Sequence, residues 1–531
     1  MDETHEMASQ QEVEVAQAAG IIALGNIASR VLGVVRDTVK ADLFGAAGPL
    51  SAYEVAALVP TMIYDLLVGG MSNAALVPVL SNYTAPERRA ELWHLLGNLL
   101  SLVAVILSVF VLLVEVLAPQ VVWLLGGGLT PDLQALAARL LRLCVPAVLF
   151  LNLAGVVSAT LYALKRFTFP ALTAAAFNAA VVVSALLLSE RWGVASLAVG
   201  LLVGSMLQIV LQWPGLRDAR WHFTLDLDHP ALRRIMRLYV PIFLGLVVNQ
   251  LAVALSYNLA SRTGDRSINW MKYSATLIQF PLGLIATAVS IAILPTLSRQ
   301  AISGQPGLFK NTLARGLRLV LALTIPATVG LWVLATPIVA LLFEHGDFAP
   351  ADTVATAEAL RCALLGLVFA SIDQPLIFAF YARKNTLTPA LVGVWTTLLY
   401  ALMALLPWWL GVLTLPLLIL VNSIKLAAHA LTMLVLTRRK MGGLGGRGIW
   451  GLVVKATGAS VVMGGAVHVA TGKLAHVALA GLAGEVLLVG GAGLIGATIY
   501  GALAALLRME EVGLLGRALL EWRRRLTRDG R

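Results

Sequence analysis

The stretch NIASRVLGVVRDTVKADLFGA, residues 26–46, sets Arg30, Arg36, Asp37 and Lys40 among leucine, valine and alanine. On a helix rising 1.5 Å per residue, Arg36 follows Arg30 by roughly 9 Å along the axis. Two guanidinium groups at that interval suit a diphosphate, each gripping it through paired hydrogen bonds, and Asp37 can neutralise them when no anion is present. The competing use is structural: the arginines reach an interface, or pair with Glu54 and Asp65 on a following helix. A charge at mid-bilayer costs about 3 kcal/mol or more, so three of them in so short a stretch favour a polar cavity.

Fainter candidates stand alone. Asp65, in MIYDLLVGG, sits beside Gly69 and Gly70, which permit a bend or a close helix contact. Asp373 lies next to Pro375, whose missing N–H leaves a carbonyl free one turn earlier. Lys425 stands about 18 Å before the helix end expected at Thr437. Each of the three either lines a cavity or forms a structural ion pair. His429 follows Lys425 by one turn with no further ligand at metal spacing, so neither metal nor cofactor is expected. Glu485 reads as structural, and Cys144 and Cys362 as small buried apolar residues.

The elements that position these residues are transmembrane helices. Of 531 residues 59% are hydrophobic and 13% charged, against about 25% charged in soluble domains. Runs of about 20 apolar residues, each able to cross some 30 Å of hydrocarbon, recur along nearly the whole chain. About fourteen helices are expected: 18–45, 50–82, 91–118, 131–164, 168–189, 193–215, 231–261, 267–298, 309–344, 352–382, 387–410, 413–437, 448–471 and 479–507. The expected class is an all-α integral membrane protein with no room for a soluble catalytic domain.

The net charge of +11 is a topology signal, since its bases cluster in alternate loops and not on one face of a polar domain, and nucleic acid is excluded as a partner. With a cytoplasmic N-terminus, the outer loops hold only Lys40, Arg191, Arg262, Arg266 and Lys473. The inner flanks hold clusters such as Arg233, Arg234 and Arg237, or Arg438, Arg439 and Lys440. Both termini are therefore expected in the cytoplasm. Residues 1–17, acidic and polar, lack the pattern of a cleaved signal peptide, and the basic tail 508–531 attracts anionic membrane lipids.

The chain also hints at duplication. The second and eighth spans carry a mid-helix glycine, in LLVGGMSNAALVPVLS and FPLGLIATAVSIAILPTLS, and both end Pro-x-Leu-Ser. The organisation this suggests is two six-helix lobes, 18–215 and 216–437, followed by two helices at 438–507. Gly69, Gly70 and Gly283 are the expected hinges.

Five segments, in order, resemble the MurJ/MviN family: SRVLGVVRDTVKADLFGA, LVPTMIYDLLVGGMSNAALVPVLSNY, WMKYSATLIQFPLGLIATAVSIAILPTLSR, LLFEHGDFAPADT and FYARKNTLTPA. The resemblance runs from about residue 20 to at least 440. It implies the fold of the multidrug/oligosaccharidyl-lipid/polysaccharide exporter superfamily, with a central cavity and a groove at about 448–507 for a lipid tail. It implies a flippase of the bacterial cytoplasmic membrane that moves lipid II, the undecaprenyl-diphosphate-linked peptidoglycan precursor, to the outer leaflet by alternating access. It further implies a monomer, with cell-wall synthesis proteins as further partners.

Carried over residue by residue, the family's two arginines and aspartate of the first span fall on Arg30, Arg36 and Asp37. Elsewhere this chain departs. Tyr64 and Asp65 stand where many members have an arginine pair, Thr276 where they have an arginine, and Gln374 where some have a lysine. Lys272, one turn before Thr276, is the candidate replacement. Ser256 occupies the place of an aspartate in the family's sodium site, so sodium binding is not expected.

Three other readings remain: export of another lipid-linked glycan or amphipathic compound, a non-transporting cell-wall scaffold, and a membrane enzyme acting on the same lipid. The last needs an acidic outer loop, and the one available, with Glu344, Asp347 and Asp352, is better placed to cap the following helix.

Overall fold

A computed structural model describes residues 2–69, 75–219, 223–444, 446, 448–477, 481–511 and 513. Gly70, Arg220, Arg447, most of the basic tail and the side chains of 2–19 lie outside what it describes. Every regular element among the described residues is helical. In hydrocarbon a backbone can satisfy its own polar groups only within a helix or a closed barrel, and these apolar runs take the first solution.

The helices in chain order are α1 (Asp2–Phe44), α2 (Gly48–Tyr64), α3 (Val77–Leu80), α4 (Arg89–Gly126), α5 (Pro131–Cys144), α6 (Ala147–Ala163), α7 (Thr168–Trp192), α8 (Ala195–Gln212) and α9 (Pro230–Ser261). There follow α10 (Ser267–Pro281), α11 (Ala288–Ile302), α12 (Pro306–Val333), α13 (Ala335–Phe343), α14 (Pro350–Ala382), α15 (Leu387–Trp409), α16 (Leu415–Met441), α17 (Ile449–Val477) and α18 (Leu482–Leu506). Proline opens α5, α9, α12 and α14, where its fixed φ suits a helix start and its missing N–H costs nothing.

Among the described residues, twelve spans are long and apolar enough to cross a membrane, or thirteen if α5 and α6, bent by 40°, count as one. The expected fourteen is not reached on this criterion. The count does not include α1, whose first residues have side chains outside what is described. Exposed Val105, Ile106, Val109, Leu112, Leu113 and Val116 recur on α4 at helical spacing, a stripe that water would not tolerate and lipid does. The chain is a multi-pass membrane protein.

Contacts divide it into two compact units: Met1–Asn269 with Gly346–Phe348, and Trp270–His345 with Ala349–Arg531. The first unit thus includes α9, whose Ala231, Leu232, Ile235 and Tyr239 join a core with Leu92, Leu96 and Leu99 of α4 and Val156 and Leu161 of α6. The second unit's core draws on α12, α14, α16, α17 and α18, with Tyr500 of α18 donating to the Ala322 carbonyl at 2.6 Å. Close helix approach relies on small residues. A Cβ on Gly200 of α8 would lie 2.8 Å from the Val181 backbone of α7, and one on Gly366 of α14 would lie 3.0 Å from the Ser423 backbone of α16.

The duplication extends beyond the glycines. Helices α5 and α6 run from Pro131 to Ala163, and α14 runs from Pro350 to Ala382, each 219 positions on; Leu387, opening α15, stands the same distance from Thr168, opening α7. Between them lie Tyr162-Ala-Leu-Lys165 and Tyr381-Ala-Arg-Lys384, each followed by Pro-Ala-Leu. Lys165 and Lys384 have φ of 58° and 57°, a left-handed conformation unusual for a side chain of this size. The same bonds close both turns: Lys165 N to Tyr162 O at 3.0 Å and Arg166 N to Leu161 O at 2.8 Å, against Lys384 N to Tyr381 O at 2.8 Å and Asn385 N to Phe380 O at 3.0 Å.

Both glycine-bearing spans also break from α- into π-helix, at Asp65–Gly69 after α2 and at Leu282–Thr287 after α10. Pro281 immediately precedes the second break, and the Thr287 hydroxyl donates to the Leu282 carbonyl across it. The first is accommodated by Gly155 of α6, where a Cβ would lie 2.2 Å from Val68 Cγ1.

In the first unit, the crevice at the ends of α6 and α8 is bridged by Asp218. It accepts from Arg166 at 2.8 Å, lies 4.0 Å from Arg89, and Arg166 also donates to the Gly215 carbonyl. Partial burial raises the Asp218 carboxyl, but the Arg166 hydrogen bond and the two nearby guanidinium charges outweigh that and hold it below its ordinary value.

Two outcomes follow. Gly155→Ala forces α6 off the π-helical turn and lowers the thermal unfolding midpoint in detergent, at a cost of about 1–3 kcal/mol, and adding Val68→Ala recovers most of the loss. The contribution of Asp218, whose folded pKa is depressed, is present at neutral pH and lost as pH falls through that folded value. The difference in unfolding midpoint between the native chain and Asp218→Asn should therefore be present at pH 7 and vanish in strong acid.

Candidate functional site

The charges of α1 are answered by α2 and α7. Arg36 donates from Nε and Nη2 to Asp37 Oδ1, at 3.0 and 2.9 Å, and from Nη1 to Asn178 Oδ1 at 3.0 Å. Asn178, on α7, uses its amide nitrogen on the Ser29 carbonyl at 3.2 Å, so that it grips α1 at two levels. One turn on from Asp37, the Lys40 ammonium stands 3.7 Å from Asp37 Oδ1, pairs with Glu54 of α2, and lies 5.6 Å from the Tyr53 ring.

The two cations and two carboxylates sum to zero, which is how the apolar surroundings tolerate them. Their exposure differs in a useful way. The Arg36 side chain is 24% exposed and Asp37 only 1%, so an incoming anion meets the guanidinium and not the carboxylate. Arg36 can exchange Asp37 for an oxyanion of similar hydrogen-bonding geometry.

Arg30 is exposed on α1, and Asp65 is exposed at the head of the first π-helical turn, which Gly69 closes. A Cβ on Gly69 would meet nothing nearer than Asp65 Oδ1 at 3.7 Å, so no packing demand excludes a side chain there. Gly70 lies outside the described residues, and Gly283 falls within the second π-helical turn. Lys272, half-buried on α10, belongs to the second unit.

In that unit Asp373 of α14 and His429 of α16 approach to 2.8 Å, and the Lys425 ammonium stands 5.6 Å from the Tyr400 ring. No cluster of three or more metal-ligating side chains occurs among the described residues. Of the acidic loop, Asp352 accepts from the Ala349 backbone N–H at the start of α14 and from Trp270 Nε1 at 3.0 Å, while Glu344 accepts from the Thr353 hydroxyl. Both carboxylates serve the helix start.

Sequence reasoning offered Glu54 as a partner for Arg30 or Arg36, and the structure gives it to Lys40. It missed Asn178 altogether. The available signal was an amide in AAAFNAAVVV, a polar group that must find partners once its helix enters an apolar environment.

A polytopic helical chain with paired charges inside its first helices, and an internal repeat, has the architecture of a membrane transporter. Among solved structures, it superposes on "Lipid II flippase MurJ, inward closed conformation" with a TM-score of 0.77 at 24% identity, covering 91% of this chain and 98% of that one. An inward-facing multidrug resistance MATE family transporter of the MOP superfamily gives 0.66 at 13% identity, covering 78% and 95%. These likenesses establish the fold.

The family model described as "Lipid II flippase MurJ" matches residues 40–482. The "Lipid II flippase MurJ" of Burkholderia cenocepacia is 29% identical over 376 residues, 69% of this chain and 73% of that protein. The "Probable lipid II flippase MurJ" of Haemophilus influenzae is 30% identical over 389 residues, 69% and 76%. The chain belongs to the MurJ family.

Glu54→Gln should strand the buried Lys40 with Asp37 alone and destabilise the fold by up to about 3–5 kcal/mol, the range for breaking a buried pair. Lys40→Met with Glu54→Leu, which removes both charges, should remain near the native midpoint; thermal unfolding in detergent distinguishes the two.

Proposed function

We propose that the protein is a flippase that carries lipid II, by alternating access, from the cytoplasmic to the outer leaflet of a bacterial cytoplasmic membrane, with both termini in the cytoplasm. The observation that carries this reading is the partly exposed Arg36 held by a buried carboxylate in a chain of the MurJ family. The substrate's diphosphate takes Arg36 from Asp37, with Arg30 as the second cation one and a half turns away. Asp37, still beside Lys40, does not become a lone buried charge when this happens.

Transport of this kind makes and breaks no covalent bond, so the chain acts as a carrier and not as an enzyme. Asp65 and Lys272 complete the set of substrate-contacting residues on this reading. The π-helical turns containing Gly69 and Gly283, with Gly70, are where the second and eighth spans bend between states, since a π-turn already has a loosened hydrogen-bond ladder. The moving bodies are the lobes 18–215 and 216–437, and the helices of 438–507 take the polyprenyl tail. The chain works as a monomer, alongside the proteins of cell-wall synthesis.

Asp65, a carboxylate where many relatives have an arginine, favours a second reading: a different lipid-linked glycan whose headgroup tolerates or pairs with an anion there. One experiment separates the readings. In bacteria depleted of their own lipid II flippase, the intact chain should restore growth and lipid II translocation, and Arg30→Ala and Arg36→Ala should not. Failure of the intact chain despite normal membrane insertion would remove lipid II as substrate and leave the second reading.

A further inference from the structure

The repeat places two comparable crevices at corresponding ends of the two units, and their charges are not the same. In the first unit, the elements meeting there supply Arg89 at the start of α4, Arg166 at the end of α6 and Asp218 after α8. The corresponding elements of the second unit supply Lys310 near the start of α12, Arg383 at the end of α14 and Lys440 at the end of α16. Arg89, Arg166 and Arg217 share the first crevice with Asp218, whereas the three cations of the second have no carboxylate among them. At the 219-residue offset of the repeat, Thr437 of α16 stands in the place of Asp218, so the second unit has no carboxylate there.

The second crevice is a cavity of about 270 Å³, several times the roughly 30 Å³ of a water molecule. No aspartate or glutamate is among the residues lining it. Its cations are held in place by neutral groups. Lys440 donates to the Thr388 hydroxyl at 2.8 Å, and Arg383 donates to the Lys440 carbonyl at 3.3 Å. The Lys310 ammonium lies over Gly442, where a Cβ would come within 2.8 Å of Nζ, and Gly442 has φ of 75°. A side chain at 442 would push that ammonium out of the crevice.

Gln300 adds a fourth element. Its amide oxygen is enclosed and has no hydrogen-bond partner among the described residues. A half-turn of the amide would present its N–H group instead, a donor of the kind an oxyanion needs. Like charges gathered without a counter-charge repel one another, and a bound oxyanion would turn that repulsion into charge-assisted hydrogen bonds.

We propose that this crevice, formed by the α11–α12 turn with the ends of α14 and α16, is a binding site for a phosphate oxyanion, contacted by Lys310, Arg383 and Lys440. The anion does in the second unit what Asp218 does in the first: it bridges the ends of helices otherwise held apart by their charges. Both a phospholipid phosphodiester and free phosphate carry the required oxygens.

The test uses the full chain without any transport substrate, so that its result is independent of the flippase reading. Binding of inorganic phosphate is measured by calorimetry in neutral detergent at constant ionic strength. Binding of phosphatidylglycerol is measured as lipid retained from mixed phosphatidylglycerol/phosphatidylcholine nanodiscs. Lys440→Asp supplies in the second unit the carboxylate that the first already has; it should keep the fold and weaken binding about tenfold or more. Arg383→Gln is the second variant should Lys440→Asp not fold, with the same loss expected.

Phosphate binding that the variant abolishes identifies a soluble anion, and phosphatidylglycerol retention that the variant abolishes identifies a lipid headgroup; either supports the site. Absence of both in the native chain, or binding unchanged in a folded variant, overturns it.

Discussion

A charge placed in hydrocarbon has to be answered by a partner within reach, and Asp37 is where this chain meets that constraint. It accepts from Arg36 and stands 3.7 Å from Lys40, which in turn holds Glu54 on α2. Asn178 extends the arrangement to α7. None of these groups would be tolerated if its neighbour were displaced, so the pairing specifies how α1, α2 and α7 stand together more sharply than apolar contact could. Apolar surfaces slide past one another at little cost in lipid, whereas a misplaced ion pair costs several kcal/mol.

The same network limits how an anion can be bound. On the proposed reading, a diphosphate that took Arg36 would leave Asp37 to Lys40, whose interaction with Glu54 would then be shared. A change at the exposed guanidinium is therefore passed to α2, the helix that runs into the first π-helical turn. The passage is electrostatic and short, involving side chains already in contact. On the proposed reading it would supply a physical route from occupancy of α1 to bending of the second span, without a chain of intermediates through the core.

Much of this architecture could be read from the residues. Apolar runs, opening prolines and loop charges located most helices to within a few residues, because those signals act locally along the chain, but not the early start of α1, the late end of α4, or the breaks between α5 and α6 and between α12 and α13. The repeat was visible in two glycine-bearing spans, and the structure extends it to Lys165 and Lys384, whose shared left-handed turn has no local signature as plain as a glycine. The pairing of Arg36 with its neighbour Asp37 was legible, but ion-pair partners on other helices were not. Glu54 could have met Arg36 as well as Lys40, and His429 had no partner along its own helix until α14 brought Asp373 to it. Which charges meet depends on the rotation of each helix about its axis, and the sequence of a single helix does not carry that information.

The departures from the family pattern are consistent with what a carrier must do. Each arginine–phosphate contact is worth about 1.5–3 kcal/mol, so a site lined with many cations would bind a diphosphate tightly enough to hold it through the transport cycle. Here the positions that the family resemblance assigns to arginines hold Asp65 and Thr276, and the partly exposed guanidinium of Arg36 is already paired. The grip on an anion is then a difference between two similar pairings, Arg36 with phosphate and Arg36 with Asp37, and it can be reversed by a modest change in geometry. A paired cation of this kind can bind on one side of the membrane and release on the other, because Asp37 is always at hand to take the arginine back.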